Sequence, residues 1–507
     1  MEVLVLRIKM ILGLLLVGSF SAQAAEYLVK KKSNNDLFSV QSIQSVKGLT
    51  ILGFHEDGNL IKIDISDGNE INALSKLHKD SSVEYVVKNF RLQLFSPKAS
   101  DIVKALGNRE QWAIKKVNAE KAWTLAGSKG SRKITVAVID TGVELKHESL
   151  AANIVDGYDY LDNDSDANDT AVDDKNPGHG THCAGIIGAT GTAENGILGA
   201  SPLVSIMPLR FISGKGGDLM AGIKSIDFAI KNGAKVISAS WGAQVGAAQA
   251  KPLIEAIERA DKAGLIFVSA AGNSGKSNDK VGFYPVNSKY PNVIGVAASG
   301  SKDEKPQWSN YGKGRVDIAA PGLQIMSTLP GNKYGNLSGT SMATPLVAGA
   351  VALLLSQNDK LTGEELRSLL QVTGAQVDIE VACNCRIDMG AAMESLINKK
   401  MFVAPATKTL AIGKTQNFHV VFSNSDVKFE STKPEVATID NKGMLTAVKD
   451  GTTRVVVTNA EGKTASSLDI MVGELKEEAG GGSCPFDPII CEIGCKFFPI
   501  PGICPGK

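Results

Sequence analysis

The chain has 507 residues, enough for about three domains at roughly 150 residues each. Its 54 basic and 53 acidic residues leave a net charge of +1, which offers no electrostatic footprint for a nucleic acid or an anionic membrane. Hydrophobic residues at 43% with charged residues at 21% describe a packed globule rather than a disordered chain.

The first segment reads as an address. Arg7 and Lys9 precede an apolar run from Met10 to Val17, and Ala22-Gln23-Ala24 supplies a small-x-small cleavage site, so residues 1–24 are expected to be a signal peptide. The run is too short to span a bilayer, which takes about 20 apolar residues. The expected location is therefore outside the cytoplasm, extracellular or periplasmic, with no membrane span. In that oxidising setting Cys183 is expected to stay a buried free thiol. Cys383, Cys385, Cys484, Cys491, Cys495 and Cys504 are expected to pair.

Residues 25–96 carry short β-branched runs (Leu49 to Phe54, Leu60 to Ile65, Val83 to Val87) with a helical pattern from Ile71 to Leu77. They read as a small α+β unit, and a polar connector, residues 97–111, follows it. Residues 112–400 alternate apolar strands (Ile134 to Ile139, Val204 to Leu209, Lys235 to Ala239, Leu265 to Ala270, Val293 to Ala297) with helical patterns. The clearest helices are Leu219 to Lys231, Pro252 to Lys262 and Thr344 to Leu355. Buried strands alternating with helices predict an α/β fold, a mostly parallel sheet with helices on both faces. A site in such a sheet lies beyond the carboxyl ends of the strands. Residues 405–473 lose the helical pattern and predict an all-β sandwich. A Gly-rich linker and a Cys/Pro-rich tail, 474–507, end the chain.

Three segments carry chemistry. Asp140-Thr141-Gly142 follows a strand, and Gly178-His179-Gly180-Thr181-His182-Cys183 and Gly339-Thr340-Ser341-Met342-Ala343 each open a helix. An acid at a strand end, an imidazole at a helix start and a hydroxyl at another helix start are the parts of an orienter–base–nucleophile relay. Ser341 has a helix dipole's positive end beside it, and Pro345 is expected in that helix's first turn. Taken singly, Asp140 could be a turn residue, and His147 reads as a surface histidine. The loop from Asp156 to Asp174 is dense in carboxylates. Asp162, Asp164 and Asp166 alternate as in a calcium loop, although Ala167 stands where an EF-hand needs Gly. The bland alternative is a solvated acidic loop.

The order Asp140, His179, Ser341, with Ala271-Gly272-Asn273 between the last two, resembles the subtilisin-like serine proteases, nearest the proteinase K and thermitase branch by its HGTHCAG segment. The resemblance implies Ser341 as nucleophile, His179 as general base, Asp140 as its orienter and Asn273 as oxyanion donor. It implies Ser240, Trp241 and Gly242 as a substrate-binding edge, His182 as a structural histidine and Cys183 as a thiol behind the base. Residues 25–96 then resemble an inhibitory propeptide, cleaved somewhere between Leu94 and Gln111, and 405–473 a bacterial immunoglobulin-like module. No cofactor is needed for the chemistry, and a structural Ca²⁺ at Asp162, Asp164 and Asp166 is expected. The implied partners are protein or peptide substrates and the chain's own propeptide, the enzyme being monomeric. A catalytically dead binding protein would lack part of the relay, and a non-proteolytic esterase would carry Gly-x-Ser-x-Gly at Ser341, which this chain does not.

Overall fold

The computed structural model describes residues 25–32, 37–66, 68–95, 110–170, 176–191, 197–288, 290–423 and 426–474. The leader, most of the 97–111 connector, Asp173, Asp174 and the tail with its four cysteines lie outside the described residues. The chain divides into two compact units, Met1–Asn89 and Phe90–Lys507.

The first unit is an antiparallel sheet of four strands in the order Leu49–Phe54, Leu60–Ile65, Ala25–Lys31, Val83–Lys88. Two helices, Leu37–Gln44 and Glu70–Lys79, complete a β-α-β-β-α-β chain. The alternation predicted for a half-buried sheet is explicit. Ile61, Ile63 and Ile65 are buried, and the helix Glu70–Lys79, packed on Val83–Lys88, buries Ala73, Leu74 and Leu77, spaced to share one face.

The second unit is built on nine strands. In sheet order these are Ala375–Gln376, Cys385–Arg386, Ile318–Pro321, Val293–Ser299, Ile266–Ala270, Val236–Ala239, Thr135–Asp140, Ser205–Arg210 and Tyr158–Asp159. All neighbours pair in parallel except the first two. The strands Val236–Ala239, Ile266–Ala270 and Val293–Ser299 are buried at every position, as a sheet covered on both faces requires. The helix Thr340–Leu355 is likewise buried at every residue and packs across these strands. Leu219–Lys231 and Lys251–Lys262 bury one face only, and the Asp218 side chain caps the former by accepting from the Ala221 N–H at 3.2 Å. Two further helices, Gly363–Thr373 and Met389–Ile397, close the body. A disulfide joins Cys383 to Cys385 at the sheet edge, and Cys183 is a buried free thiol.

The strands from Phe402–Ala404 to Ile470–Val472 form the β-module. Its core comprises Leu410, Phe418, Phe429, Leu445, Val455, Val457 and Ile470 among others. The module begins slightly before the expected boundary: Phe402–Ala404 already pairs with His419–Val421. Phe402, Ala404 and Val421 belong to the same apolar cluster as the protease-side helices, and the Ala406 N–H donates to Ser368 Oγ at 2.9 Å. Burial of shared apolar surface, rather than a bare tether, holds this module in place.

Candidate active site

Three neighbouring parallel strands deliver their carboxyl ends to one place. Thr135–Asp140 ends on Asp140 itself, Val236–Ala239 leads into Ser240, and Ile266–Ala270 leads into Ala271-Gly272-Asn273. The helix His179–Gly188 comes down on the first of these. A Cβ on Gly180 would lie 2.1 Å from the Gly142 carbonyl oxygen, so only glycine allows this approach.

That approach sets His179 against Asp140. The His179 Nδ1–H donates to Asp140 Oδ1 at 2.7 Å, and the same oxygen accepts from the Thr141 N–H at 2.8 Å. Both side chains are buried, and a carboxylate can only accept, so the ring's tautomer follows. Burial pulls the imidazole pKa down, but the Asp140 charge and hydrogen bond outweigh it and hold His179 well above 6.5. The helix start is secured from below: Asn176 Oδ1 accepts from the His179 N–H at 2.9 Å, and Asp169 accepts from Thr181. Burial lifts Asp169 to about 6 against these bonds.

Ser341 is the second residue of Thr340–Leu355. Its hydroxyl donates to the Ser240 carbonyl at 3.1 Å, and Ser240 Oγ returns a bond to the Ser341 carbonyl at 3.0 Å. Cys183, one turn beyond His179, approaches the same carbonyl with its thiol at 3.4 Å. His179 Nε2 is buried with no hydrogen-bond partner, so the hydroxyl–imidazole bond is not made in this conformer. Pro345 is placed differently from the first-turn expectation. It is the sixth residue of the helix, and its missing N–H is the one that would bond the Ser341 carbonyl. That carbonyl is thereby left for Ser240 and Cys183.

Asn273 is oriented by its neighbour. Its Oδ1 accepts from the Thr340 N–H at 3.0 Å and from Thr340 Oγ1 at 2.9 Å, which turns its amide N–H₂ outward. There it donates to the carbonyl oxygen of Phe95.

The strand Arg91–Leu94 explains why Phe95 is there. It lies between two strands of the second unit, with Leu94 and Gln93 opposite Trp241 and Gly242, and Leu92 and Arg91 opposite Gly217 and Asp218. Leu92 is fully buried beside Phe211 and Gly222, and the Phe95 ring sits against Gly242 with Phe283 at 6.4 Å. Trp241 braces this edge by donating from Nε1 to the Ile139 carbonyl at 2.7 Å. Of these residues, Gly216–Asp218, Phe211 and Phe283 escaped the sequence reading. The paired glycines before an Asp cap were the one local signal for the opposite wall.

One expectation is corrected here. His147 is fully buried: its ring bonds the Lys333 carbonyl at 3.1 Å, accepts from the Ser149 N–H and meets Tyr334 edge-on. Asp162 and Asp164 are engaged within the fold. Asp162 takes Arg210 Nη1 at 2.6 Å, and Asp164 Oδ1 caps the Asp166 N–H at 2.8 Å. Arg210, bonded also to buried Asp159, supplies the opposite charge from within the fold. His182 is buried, with Nε2 on the Gly335 carbonyl at 3.1 Å, and burial drops its pKa to about 3.

A buried Asp–His pair, a serine at a helix start and an outward-facing amide at the ends of parallel strands define an acyl-transfer hydrolase. Residues 131–384 match the subtilase family, and residues 399–469 match the bacterial Ig-like domain, group 2. The chain is 39% identical over 268 residues to thermitase of Thermoactinomyces vulgaris, covering 53% of this chain and 89% of thermitase. It is 37% identical over 249 residues to the major intracellular serine protease of Bacillus subtilis, covering 49% and 75%. It is 30% identical over 376 residues to a thermostable alkaline protease of Halalkalibacterium halodurans, covering 74% and 93%. This chain belongs to the subtilase family and is a serine protease with an appended bacterial Ig-like domain.

Proposed function

We propose that the chain is an exported endopeptidase made as a zymogen that cleaves itself after Phe95. The observation that carries this reading is the Phe95 carbonyl on the Asn273 amide, at the end of a strand paired on both sides as an extended substrate would be. In that reading Arg91–Phe95 is the non-primed side of the first substrate, and the bond to Ser96 falls within the expected Leu94–Gln111 window.

Rotation of the Ser341 hydroxyl from the Ser240 carbonyl toward His179 Nε2 starts the reaction. His179 takes the hydroxyl proton as Oγ attacks the Phe95 carbonyl carbon, and Asp140 stabilises the imidazolium that forms. Asn273 Nδ2 and the Ser341 N–H at the helix start hold the oxyanion. Collapse expels the new amino group at Ser96, which leaves with the proton from His179. Water, activated by the same imidazole, then releases the acyl group. The leader 1–24 supports export, the β-α-β-β-α-β unit with its trailing strand supports an intramolecular inhibitor, and the Ig-like module supports surface attachment or spacing.

The test is N-terminal sequencing of secreted wild type beside Ser341→Ala. Wild type should begin at Ser96 and clear casein, and Ser341→Ala should accumulate as the signal-cleaved precursor without clearing. Mature-length product from purified Ser341→Ala would remove Ser341 from processing.

A further inference from the structure

The helix His179–Gly188 has no cap of its own, because the residue before it, Gly178, offers no side chain. The N–H groups of its first turn must find acceptors elsewhere. The His179 N–H donates to Asn176 Oδ1 at 2.9 Å, the Gly180 N–H to Thr141 Oγ1 at 2.9 Å and the Thr181 N–H to Asp169 Oδ2 at 3.2 Å.

Two of these three acceptors trace back to Asp169. Its Oδ1 accepts from Asn176 Nδ2 at 3.2 Å, which turns the Asn176 oxygen toward His179, and its Oδ2 also accepts from Thr181 Oγ1 at 2.9 Å. A carboxylate can only accept, so the Thr181 hydroxyl gives its single proton here while its oxygen takes the Glu144 N–H at 3.0 Å. The backbone of Asp169 reaches the other member of the pair. Its N–H donates to the Val143 carbonyl at 3.3 Å, and the Val143 N–H donates to the Ala167 carbonyl at 3.0 Å. One buried residue thus fastens the turn that follows Asp140 to the first turn of the helix that carries His179.

Burial and the Asp140 charge both work against this carboxylate, and no ion pair reaches it among the described residues. A buried carboxylate is costly unless hydrogen bonds hold it. Here three donors point at two oxygens, and an amide in the same place would turn its own N–H₂ on one of them. The start of a helix favours the negative charge as well.

We propose that Asp169 is a positioning residue for the reaction: its carboxylate holds the start of the His179 helix in the place, relative to Asp140, that the base requires. It acts through Asn176 and Thr181 rather than on the substrate. The inference rests on the reading of His179 as the base.

The experiment measures kcat and KM on mature enzyme, with competent sites counted by titration with a serine-directed phosphonate. A misplacement of about 1 Å costs roughly 100-fold, so Asp169→Asn, which keeps the shape and reverses one hydrogen bond, should lower kcat per titrated site about 10- to 100-fold and leave KM within about twofold. A purely structural role would lower the number of titratable sites and the Tm with kcat per site unchanged, and that result would overturn the proposal. Thr181→Ser and Thr181→Val decide it even where Asp169→Asn yields no mature enzyme. Thr181→Ser keeps the hydroxyl and should hold kcat within about twofold, whereas Thr181→Val should lose about tenfold or more. Equal kcat in the two would overturn the role of Asp169. His179→Ala, made beside them, keeps two failures apart. Hydrolysis at the wild-type rate in His179→Ala would overturn the base on which the inference rests, whereas an inactive His179→Ala with an undiminished Asp169→Asn would overturn the positioning role alone.

Discussion

The Phe95 ring packs directly on Gly242: a Cβ at residue 242 would fall 2.7 Å from Phe95 Cζ and 2.5 Å from the Tyr284 carbonyl oxygen. The floor of this pocket is backbone because a side chain there would occupy the space of the ring. No acidic residue stands among Ser240–Gly242 or Ser269–Gly272, so the pocket suits an apolar ring rather than a basic side chain.

Gly242→Ala should therefore cut kcat/KM for peptides with Phe at the cleaved residue far more than for peptides with Ala there. Parallel assays on two otherwise identical chromogenic peptides measure the ratio. An unchanged ratio would mean that the ring of a free substrate binds elsewhere.

Asn273→Ala removes the donor that faces the Phe95 carbonyl and leaves Thr340 without its acceptor. A lost oxyanion donor costs about 3 kcal/mol in the transition state, so kcat should fall about 10²–10³-fold with little change in KM. Steady-state kinetics on purified mature enzyme decide it. A fall confined to KM would make Asn273 a ground-state binding group.

The pH profile follows from Asp140 and His179. The catalytic form of His179 is neutral, and its pKa is held well above 6.5, so the acid limb of kcat/KM should have its midpoint above 6.5. Asp140→Asn removes the charge that raises this value and leaves burial, which lowers it. The midpoint should move to lower pH as kcat drops about 10⁴-fold. The same shift makes a stability contribution that is fully present below 6.5 and is lost as pH rises through the raised folded value.

Arg210→Met should leave Asp159 buried without its partner, since the two side chains are only 9% and 1% exposed. Removing one member of such a pair costs about 3–5 kcal/mol. Denaturant melts of Ser341→Ala with and without Arg210→Met would read it directly. Asp162→Asn should cost much less, because that carboxylate is 66% exposed and screened by water.

Much of the site was legible in the chain because its parts are local. The apolar runs ending at Ile139, Ala239 and Ala270 announced parallel strands, the acid at a strand end marked Asp140, and the family resemblance added Ser240 and Asn273. A helix pattern starting beside Ser341 was equally visible. The Thr362–Glu365 pair, which closes a capping box at 3.2 and 2.8 Å, carried a signal for the helix Gly363–Thr373 that the strand-and-helix alternation did not use.

What the sequence by itself determined was therefore the chemistry and its order along the chain: an acid, an imidazole, an amide and a hydroxyl, each on a recognisable strand end or helix start. Only the tertiary structure decided that Phe95 rests on Asn273, that Arg210 pairs with both Asp159 and Asp162, that His147 is buried, and that Pro345 frees the Ser341 carbonyl for Ser240 and Cys183. Periodicity and turn chemistry act over a few neighbours, whereas these contacts join residues tens to hundreds of positions apart. Which of several possible partners a buried polar group meets is settled by close packing of the whole chain.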